Sequence, residues 1–210
     1  MINPVLIFGA GPLGKLAFDV FVSNGVVVYG FLDDDTALHN KEIGDVLVLG
    51  ATEDDGFLKL IGKKCDAFIA AGTNKERTYL TEMIKEKRHL MPVNAIHKDS
   101  SISQHAEIGH GNLLCAGSRI SSFVSIGNAC VLHPNVVLET EAKIGDQVNI
   151  GAGTVIGAGV EIGNGAFLGA GVTVIEGVKI GKNASVGAGS VVLADVPASA
   201  KVFGYPAKAL

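Results

Sequence analysis

A six-residue repeat runs through the second half of the sequence and constrains its fold more than any other feature. At every sixth position from Ile102 to Val192 the residue is Ile, Leu or Val. The residue two places earlier in each hexad is small or slim throughout. Because alternate residues of a strand face the same side, both positions are predicted to point inward from short strands.

Glycine follows the repeated aliphatic residue in many of the hexads, and we interpret it as the corner residue. These glycines are Gly109, Gly127, Gly145, Gly151, Gly157, Gly163, Gly169, Gly181 and Gly187. A corner is expected to need a backbone that tolerates positive φ, which glycine adopts freely. Three strands with three corners give a triangular coil, and hexapeptide periodicity of this kind is typical of a parallel β-helix. Residues three hexads apart, such as Ile102, Ile120 and Leu138, should then stack as one interior ladder with a spacing of about 4.8 Å.

The first half of the sequence alternates between strand-like and helix-like segments instead. An apolar run over 5–8 precedes the turn Gly9-Ala10-Gly11-Pro12-Leu13-Gly14 and a helix-like segment. A second apolar run over 26–31 ends at the acidic residues 33–35, about 20 residues after the glycines, which is the arrangement of a dinucleotide-binding βαβ unit. A further strand over 67–70 and a helix over about 75–87 complete a small α/β domain.

The glycine turn indicates a phosphate site without identifying the ligand. Backbone N–H groups at a helix N-terminus can approach a diphosphate, and the helix dipole favours its negative charge. A full NAD domain usually needs two mononucleotide-binding halves, whereas this segment supplies little more than one. A nucleotide-linked ligand is therefore favoured over a nicotinamide cofactor, with a purely structural turn as the alternative. The acidic run either contacts a base or ribose or is a solvated strand end.

Composition excludes several classes of partner. The formal net charge is −4 and no basic run is longer than Lys63-Lys64, so nucleic acid and anionic membranes are not expected to bind. No segment approaches the roughly 20 apolar residues of a membrane span. The cysteines Cys65, Cys115 and Cys130 are odd in number and lack CxxC spacing, which argues against disulfides and metal sites and favours a cytoplasmic location.

The two halves together resemble the bacterial sugar acyltransferase family that includes PglD and NeuD. The resemblance covers essentially the whole chain. Its most specific parts are Gly9–Gly14, Phe31–Asp34, Asn94–His97, Gly165–Ala170 and Gly204–Lys208.

The resemblance implies a domain organisation, a donor substrate and an assembly. Residues 1–95 would form a Rossmann-like nucleotide-sugar-binding domain, 96–192 a left-handed parallel β-helix, and 193–210 a C-terminal tail. Acetyl-CoA would be the acyl donor. The protein would be a homotrimer, with acetyl-CoA in the groove between neighbouring β-helices and with no metal.

The resemblance also assigns binding residues. The diphosphate is expected at Gly11, Pro12, Leu13 and Gly14, the uridine at Asp33 and Asp34, and the other flank of the ligand at Thr73 and Asn74. The pantetheine arm of acetyl-CoA is expected at Ala158, Gly169, Ala170, Gly187 and Ala188, and its nucleotide near Pro206 and Lys208. Small residues suit the pantetheine arm because it can approach a backbone only where no Cβ intervenes.

At the catalytic position the sequence departs from this family. PglD-like enzymes carry a His-Asp/Glu pair in the middle of the β-helix and a second His nine residues later. Thr140, Glu141 and Asn149 occupy those three places here. Neither Thr140 nor Asn149 can take up a proton near neutral pH, so the acid-base mechanism of the family cannot operate unchanged.

Three explanations of this departure remain open. In the first, the acceptor is an amine, which needs less help than a hydroxyl, and Asn149 donates to the developing oxyanion. In the second, another group is the base: either Glu141, or a carboxylate acting through water, or His133, which lies one corner earlier. In the third, the chain binds its ligands without catalysis.

The sequence therefore predicts an acetyl-CoA-dependent N-acetyltransferase for a nucleotide-linked amino-deoxy sugar in surface-glycan synthesis, with UDP or dTDP as the expected carrier. An O-acetyltransferase acting on a sugar or on sialic acid is the first alternative. A catalytically inert trimer that binds nucleotide sugar or CoA is the second.

Overall fold

The chain divides into two units, with the boundary between Lys98 and Asp99. A mostly parallel five-stranded sheet forms the centre of the first unit. The computed structural model describes residues 3–209. The strands are β1 (Val5–Phe8), β2 (Val28–Leu32), β3 (Glu42–Ile43), β4 (Val46–Gly50) and β5 (Asp66–Ile69), and a short β6 (Ala95–Ile96) follows. The helices are α1 (Pro12–Ser23), α2 (Asp55–Leu58) and α3 (Asn74–Arg88), with a 3-10 turn at Thr36–Leu38. This unit confirms the predicted α/β domain.

The sheet order β3-β4-β2-β1-β5 explains where a ligand can enter. All four residues of β1 are buried, as expected for a central parallel strand covered on both faces. From β1 the chain passes through α1 to β2 on one side, while β5 lies on the other side. The order reverses at β1, and a crevice therefore opens beyond the carboxyl ends of β1 and β5.

The second unit begins at Asp99 and is a parallel β-helix with three faces. The first face contains β7 (Ser101–Ile102), β10 (Arg119–Ile120), β13 (Val137–Leu138), β16 (Val155–Ile156), β19 (Thr173–Val174) and β22 (Val191–Val192). The second contains β8 (Glu107–Ile108), β11 (Ser125–Ile126), β14 (Lys143–Ile144), β17 (Glu161–Ile162) and β20 (Lys179–Ile180). The third contains β9 (Leu113–Leu114), β12 (Val131–Leu132), β15 (Asn149–Ile150), β18 (Phe167–Leu168), β21 (Ser185–Val186), β23 (Lys201–Phe203) and the antiparallel β24 (Lys208–Ala209).

The register of this β-helix confirms the predicted interior ladder. Ile102 pairs with Ile120, Ile120 with Leu138, and the same step continues to Val192. Leu138 and Ile156 are fully buried. The aliphatic hexad positions thus form the core, and every coil rests on the one before it. No helix within residues 3–209 is long and apolar enough to cross a membrane.

The prediction that the glycine after each aliphatic residue adopts positive φ is wrong. The left-handed residue stands two places later in the corner. It is glycine at Gly111, Gly117, Gly153, Gly159, Gly165, Gly171, Gly177 and Gly189, and another residue at Phe123, Ala129, Asn135, Glu141, Gln147 and Asn183. The predicted glycines are required for clearance between coils, because a Cβ on Gly163 would lie 2.6 Å from the Lys182 nitrogen of the next coil.

Two alanine substitutions separate these requirements. Gly163→Ala forces the backbones of two coils apart, and we expect it to lower the free energy of unfolding by about 3 kcal/mol. Gly153 has φ +68° and nothing within 4 Å of an added Cβ, so Gly153→Ala bears only the left-handed strain, about 1 kcal/mol. Denaturant unfolding of both variants measures the difference, and equal losses would contradict the clearance argument.

Candidate active site

A hollow of about 240 Å³ opens at the carboxyl edge of the sheet in the first unit. It is lined by Gly9, Gly11, Pro12, Leu13, Asp33, Asp34, Thr52, Ala70, Ala71, Gly72, Glu76, Tyr79 and Leu80. Five of the residues predicted to bind the nucleotide sugar line it: Gly11, Pro12, Leu13, Asp33 and Asp34. No Lys, Arg or His is among the described lining residues, so its attraction for an anion must come from backbone dipoles.

The three glycines of the turn have three different roles. Gly9 has φ +113°, and a Cβ there would lie 2.7 Å from the Ala70 carbonyl oxygen. A Cβ on Gly14 would overlap the Gly9 carbonyl oxygen, so Gly14 permits close packing of α1 on β1. An added Cβ on Gly11 meets nothing within 4 Å. Gly11 caps α1 without a side-chain hydrogen bond, so backbone N–H groups at this N-terminus are available to a diphosphate.

The carboxylates of Asp33 and Asp34 accept hydrogen bonds that connect the loops around the hollow. Asp33 Oδ2 accepts from the Ala10 nitrogen at 2.7 Å, and its Oδ1 accepts from the Asp35 nitrogen at 2.9 Å. Asp34 Oδ1 accepts from both the nitrogen and the hydroxyl of Thr52, each at 2.9 Å. These bonds give both residues a structural role, and contact with a nucleoside stays a prediction.

Thr73 and Asn74 lie beside the hollow and not among its lining residues. Thr73 Oγ1 accepts from the Glu76 nitrogen at 3.2 Å, and Glu76 Oε2 accepts from the Thr73 nitrogen at 3.3 Å. This capping box starts α3. Asn74 Oδ1 accepts from Arg77, which is buried and also donates to the Ala71 carbonyl at 3.1 Å.

Sequence reasoning missed the outer wall of the hollow, which Thr52, Glu76 and Tyr79 supply. Thr52 follows β4, whose carboxyl end lies on the same edge of the sheet as that of β2. Identifying β4 in the sequence would therefore have pointed to Thr52. Tyr79 donates a hydrogen bond to the Glu53 carboxylate, and this bond raises the pKa of Tyr79.

In the second unit, Thr140 and Glu141 form an exposed corner between β13 and β14. The Glu141 nitrogen donates to the Ser122 carbonyl at 3.1 Å, and the Thr140 carbonyl accepts from the Gly159 nitrogen at 2.9 Å. A shallow hollow brings both residues together with the predicted Ala158 and with Glu176. Glu141 has φ +63°, which is the left-handed conformation that the corners of this β-helix repeat and is therefore explained by the fold.

The other two predicted catalytic residues lie elsewhere on the coil. Asn149 precedes the inward Ile150 on β15 and therefore points outward from the third face, which is opposite the corner of Thr140. His133 is half-buried at the corner between the third and first faces, and burial lowers its pKa. A single chain thus does not bring Asn149 or His133 to Thr140 and Glu141.

The residues predicted to bind CoA divide between two corners. Ala158 lies with Thr140, whereas Gly169, Ala170, Gly187 and Ala188 lie between the third and first faces. Gly169 allows the coils to approach there, because a Cβ on it would lie 2.6 Å from the Ala188 nitrogen. Pro206 and Lys208 are exposed in the segment around β24.

Two family models match the two halves of the chain. A model described as "PglD N-terminal domain" matches residues 4–84. A model described as "Bacterial transferase hexapeptide (six repeats)" matches residues 123–158 and 159–194. A comparison with curated protein sequences gives no match.

Several solved structures are similar over the whole chain. A histidine-to-alanine variant of GDP-perosamine N-acetyl transferase from Caulobacter crescentus, in complex with CoA and GDP-perosamine, is 30% identical with a TM-score of 0.91 and coverage of 100% of this chain and 98% of that one. WeeI from Acinetobacter baumannii AYE is 26% identical, with a TM-score of 0.86 over 99% and 100% of the two chains. The acetyltransferase domain of PglB from Neisseria gonorrhoeae FA1090 is 25% identical, with a TM-score of 0.67 over 99% and 100%.

Proposed function

The chain belongs to the PglD/NeuD-type family of sugar acyltransferases with a left-handed hexapeptide β-helix, and we propose that it acetylates the amino group of a nucleotide-linked amino-deoxy sugar used in surface-glycan synthesis. Acetyl-CoA is the donor. The observation that carries this proposal is the 30% identity, over 98% of its length, to an N-acetyl transferase held in complex with both CoA and a nucleotide amino sugar.

In the first unit, the hollow at the glycine turn suits the nucleotide sugar. Open space beside Gly11 lets a diphosphate approach the N-terminus of α1, where Pro12 is the first helical residue and no side chain caps the helix. Asp33 and Asp34 hold the rim of the hollow, and their remaining lone pairs can accept from a ribose or a base. Gly14 lets the backbone of the turn pack closely, because it has no Cβ that would overlap the Gly9 carbonyl oxygen.

The chemistry at Thr140 favours an amine as the acceptor. The neutral amine attacks the thioester carbonyl carbon, the C–S bond breaks, and the ammonium proton of the new amide nitrogen passes to solvent or to a carboxylate while CoA leaves as its thiolate. A hydroxyl acceptor would need a base before attack, and Thr140 cannot be one. Glu141, which lines the same hollow as Thr140, is the carboxylate that we propose as the proton acceptor.

We propose a homotrimer because the faces of the β-helix differ in chemistry. On the second face, Glu161 is paired with Lys179 at 3.2 Å and Lys143 at 3.3 Å, and these bonds lower the pKa of Glu161, so this face suits solvent. The first and third faces point apolar residues outward, including Val155, 37% exposed, and Phe167, 48% exposed. Contact between unlike faces generates a closed ring when the rotation between neighbouring copies closes, and the triangular cross-section of the coil suits three copies. It would also let Asn149 approach Thr140 of a neighbouring copy and donate to the oxyanion.

The test is release of CoA thiol from acetyl-CoA with a panel of acceptors between pH 6 and pH 9. The panel contains GDP-, UDP- and dTDP-linked 3- and 4-amino-deoxy sugars, the matched hydroxyl sugars, and sialic acid. We expect turnover only with amino sugars. The rate should rise with pH until the acceptor amine is deprotonated and then level off, because the neutral amine is the nucleophile.

Other outcomes would contradict the proposal. Turnover of a hydroxyl sugar or of sialic acid would identify an O-acetyltransferase. If acetyl-CoA and a nucleotide bind but no acceptor in the panel is acetylated, the chain is a binding protein and the N-acetyltransferase assignment is wrong.

A further inference from the structure

A second hollow on the β-helix lies next to Thr140, towards the first coils. Its volume is about 440 Å³, and it is lined by Ser101, Ile102, Ser103, Arg119, Ile120, Ser121, Ser122 and Thr140. Thr140 also lines the hollow of Glu141 and Ala158, so the two hollows adjoin along one corner. Neither the predicted nor the proposed site uses the serines or Arg119.

The donors in this hollow suit an oxygen-rich anion. The hydroxyls of Ser103 and Ser122, on successive coils, lie 3.2 Å apart. Arg119 adds a planar guanidinium whose N–H groups can bond two oxygens of one phosphate. No carboxylate is among the described lining residues, so nothing in the hollow competes with an incoming anion.

Arg119 differs from the two lysines that point outward from the second face. Lys143 and Lys179 on the second face each pair with Glu161. Within the described part of the chain, no carboxylate lies within ion-pair distance of Arg119. The next outward residues on the same face are Val137 and Val155. The proposed trimer would cover this apolar face, and covering it would partly desolvate a guanidinium that has no counter-charge of its own.

We propose that Arg119, with the hydroxyls of Ser103 and Ser122, binds a phosphate group of one of the two substrates. The proposal rests on the proposed function, which supplies two phosphate-bearing substrates. Ser122 lies one coil from Thr140, and strands of neighbouring coils are about 4.8 Å apart. A phosphate of CoA is the source that agrees with the proposed function, because the diphosphate of the nucleotide sugar is assigned there to the turn at Gly11 in the first unit. The diphosphate of a nucleotide sugar is the other source of the same chemistry, and it would bind here if the glycine turn is purely structural.

The experiment is calorimetric titration of the full-length protein with CoA, 3′-dephospho-CoA, GDP, UDP and dTDP. Arg119→Ala should weaken binding of one ligand class by about 10-fold or more, the usual effect of losing hydrogen bonds to a charged group. Arg119→Lys should recover part of that loss. Lys143→Ala is the matched control, since Lys143 also points outward from a strand but already has a carboxylate partner. The double variant Ser103→Ala, Ser122→Ala tests the hydroxyls and should weaken the same ligand class by a smaller factor.

Each outcome decides between the sources or overturns the proposal. Weaker binding of a nucleoside diphosphate assigns the subsite to the acceptor. Weaker binding of CoA with unchanged binding of 3′-dephospho-CoA assigns it to the 3′-phosphate, and equal weakening of both assigns it to the CoA diphosphate. If the wild-type protein binds these ligands and Arg119→Ala binds them with the same affinities, the phosphate subsite is wrong and the proposed function is unaffected.

Two further results would also overturn it. If Arg119→Ala lowers the oligomeric state in size-exclusion chromatography while ligand affinities stay the same, Arg119 pairs with a neighbouring copy. If the wild-type protein binds neither CoA nor any of the nucleotides, the proposed function fails and the subsite fails with it.

Discussion

Replacing Gly11 by valine is expected to raise the KM for the nucleotide-sugar acceptor about 100-fold while the protein stays folded, because a displacement of about 1 Å of a bound group can cost that much. Gly11 has φ −74° and ψ −166°, which any residue can adopt, and an added Cβ there has no neighbour within 4 Å. The valine side chain would occupy the space that a diphosphate needs to reach the N-terminus of α1. Steady-state kinetics with both substrates varied measures the KM values, and thermal unfolding tests whether the variant stays folded.

Gly14 provides the matched control in the same turn. A Cβ on Gly14 would overlap the Gly9 carbonyl oxygen, and Gly14→Ala should therefore destabilise the first unit by about 3 kcal/mol. The KM for acetyl-CoA should be unchanged in Gly11→Val. Normal acceptor kinetics in that variant would show that the glycine turn is structural and that the acceptor binds elsewhere.

Introducing a base at Thr140, in the corner that we propose to be catalytic, is expected to have the largest effect on rate. Thr140→His places an imidazole next to Glu141 in the exposed corner, and general-base assistance is worth about 10²- to 10⁴-fold. We expect kcat near pH 7.5 to rise about 100-fold, towards the lower end of that range because an amine acceptor already reacts in part without a base. Thr140→Ala should leave kcat unchanged, since the threonine hydroxyl takes up no proton near neutral pH.

The pH profile identifies the source of any gain. Imidazole accepts a proton only when neutral, so the advantage of Thr140→His over wild type should be small at pH 5.5 and should grow as pH rises through about 6.5, the ordinary pKa of histidine. A loss of activity in Thr140→Ala would instead give the hydroxyl a direct role. No gain at any pH would mean that the acceptor nitrogen does not reach this corner.

The fold was predictable from the sequence because its inward positions are strictly periodic. Ile102, Ile120 and Leu138 stack as expected, since any other register would expose a row of aliphatic side chains. The corner conformation was not predictable in the same way. A glycine in a sequence does not reveal whether its φ or its missing Cβ matters, and Phe123 and Glu141 show that the left-handed position tolerates other residues.

The hollow in the first unit was largely predictable and the catalytic arrangement was not. Gly11 and Asp33 follow neighbouring parallel strands, whose carboxyl ends must share an edge. Thr140 and Asn149 are nine residues apart, which is half of the repeat of 18 residues that separates paired positions such as Ile120 and Leu138. Half a coil places two residues on opposite sides of the β-helix. Family resemblance identifies these positions, and in the proposed trimer they would approach one another only across two copies of the chain.

Because successive coils share one register, the length of the β-helix can change without altering which residues lie on which face. Deleting 18 consecutive residues would join like positions, as the pairing of Arg119 with Val137 and of Val137 with Val155 illustrates. The rod would then be shorter by one step of about 4.8 Å, with every later side chain keeping its face. Deleting a single hexad would move all later residues to the next face, so the ion pairs and apolar surfaces would change places. Gene duplication or loss can therefore adjust this unit only in whole coils without rearranging its surface.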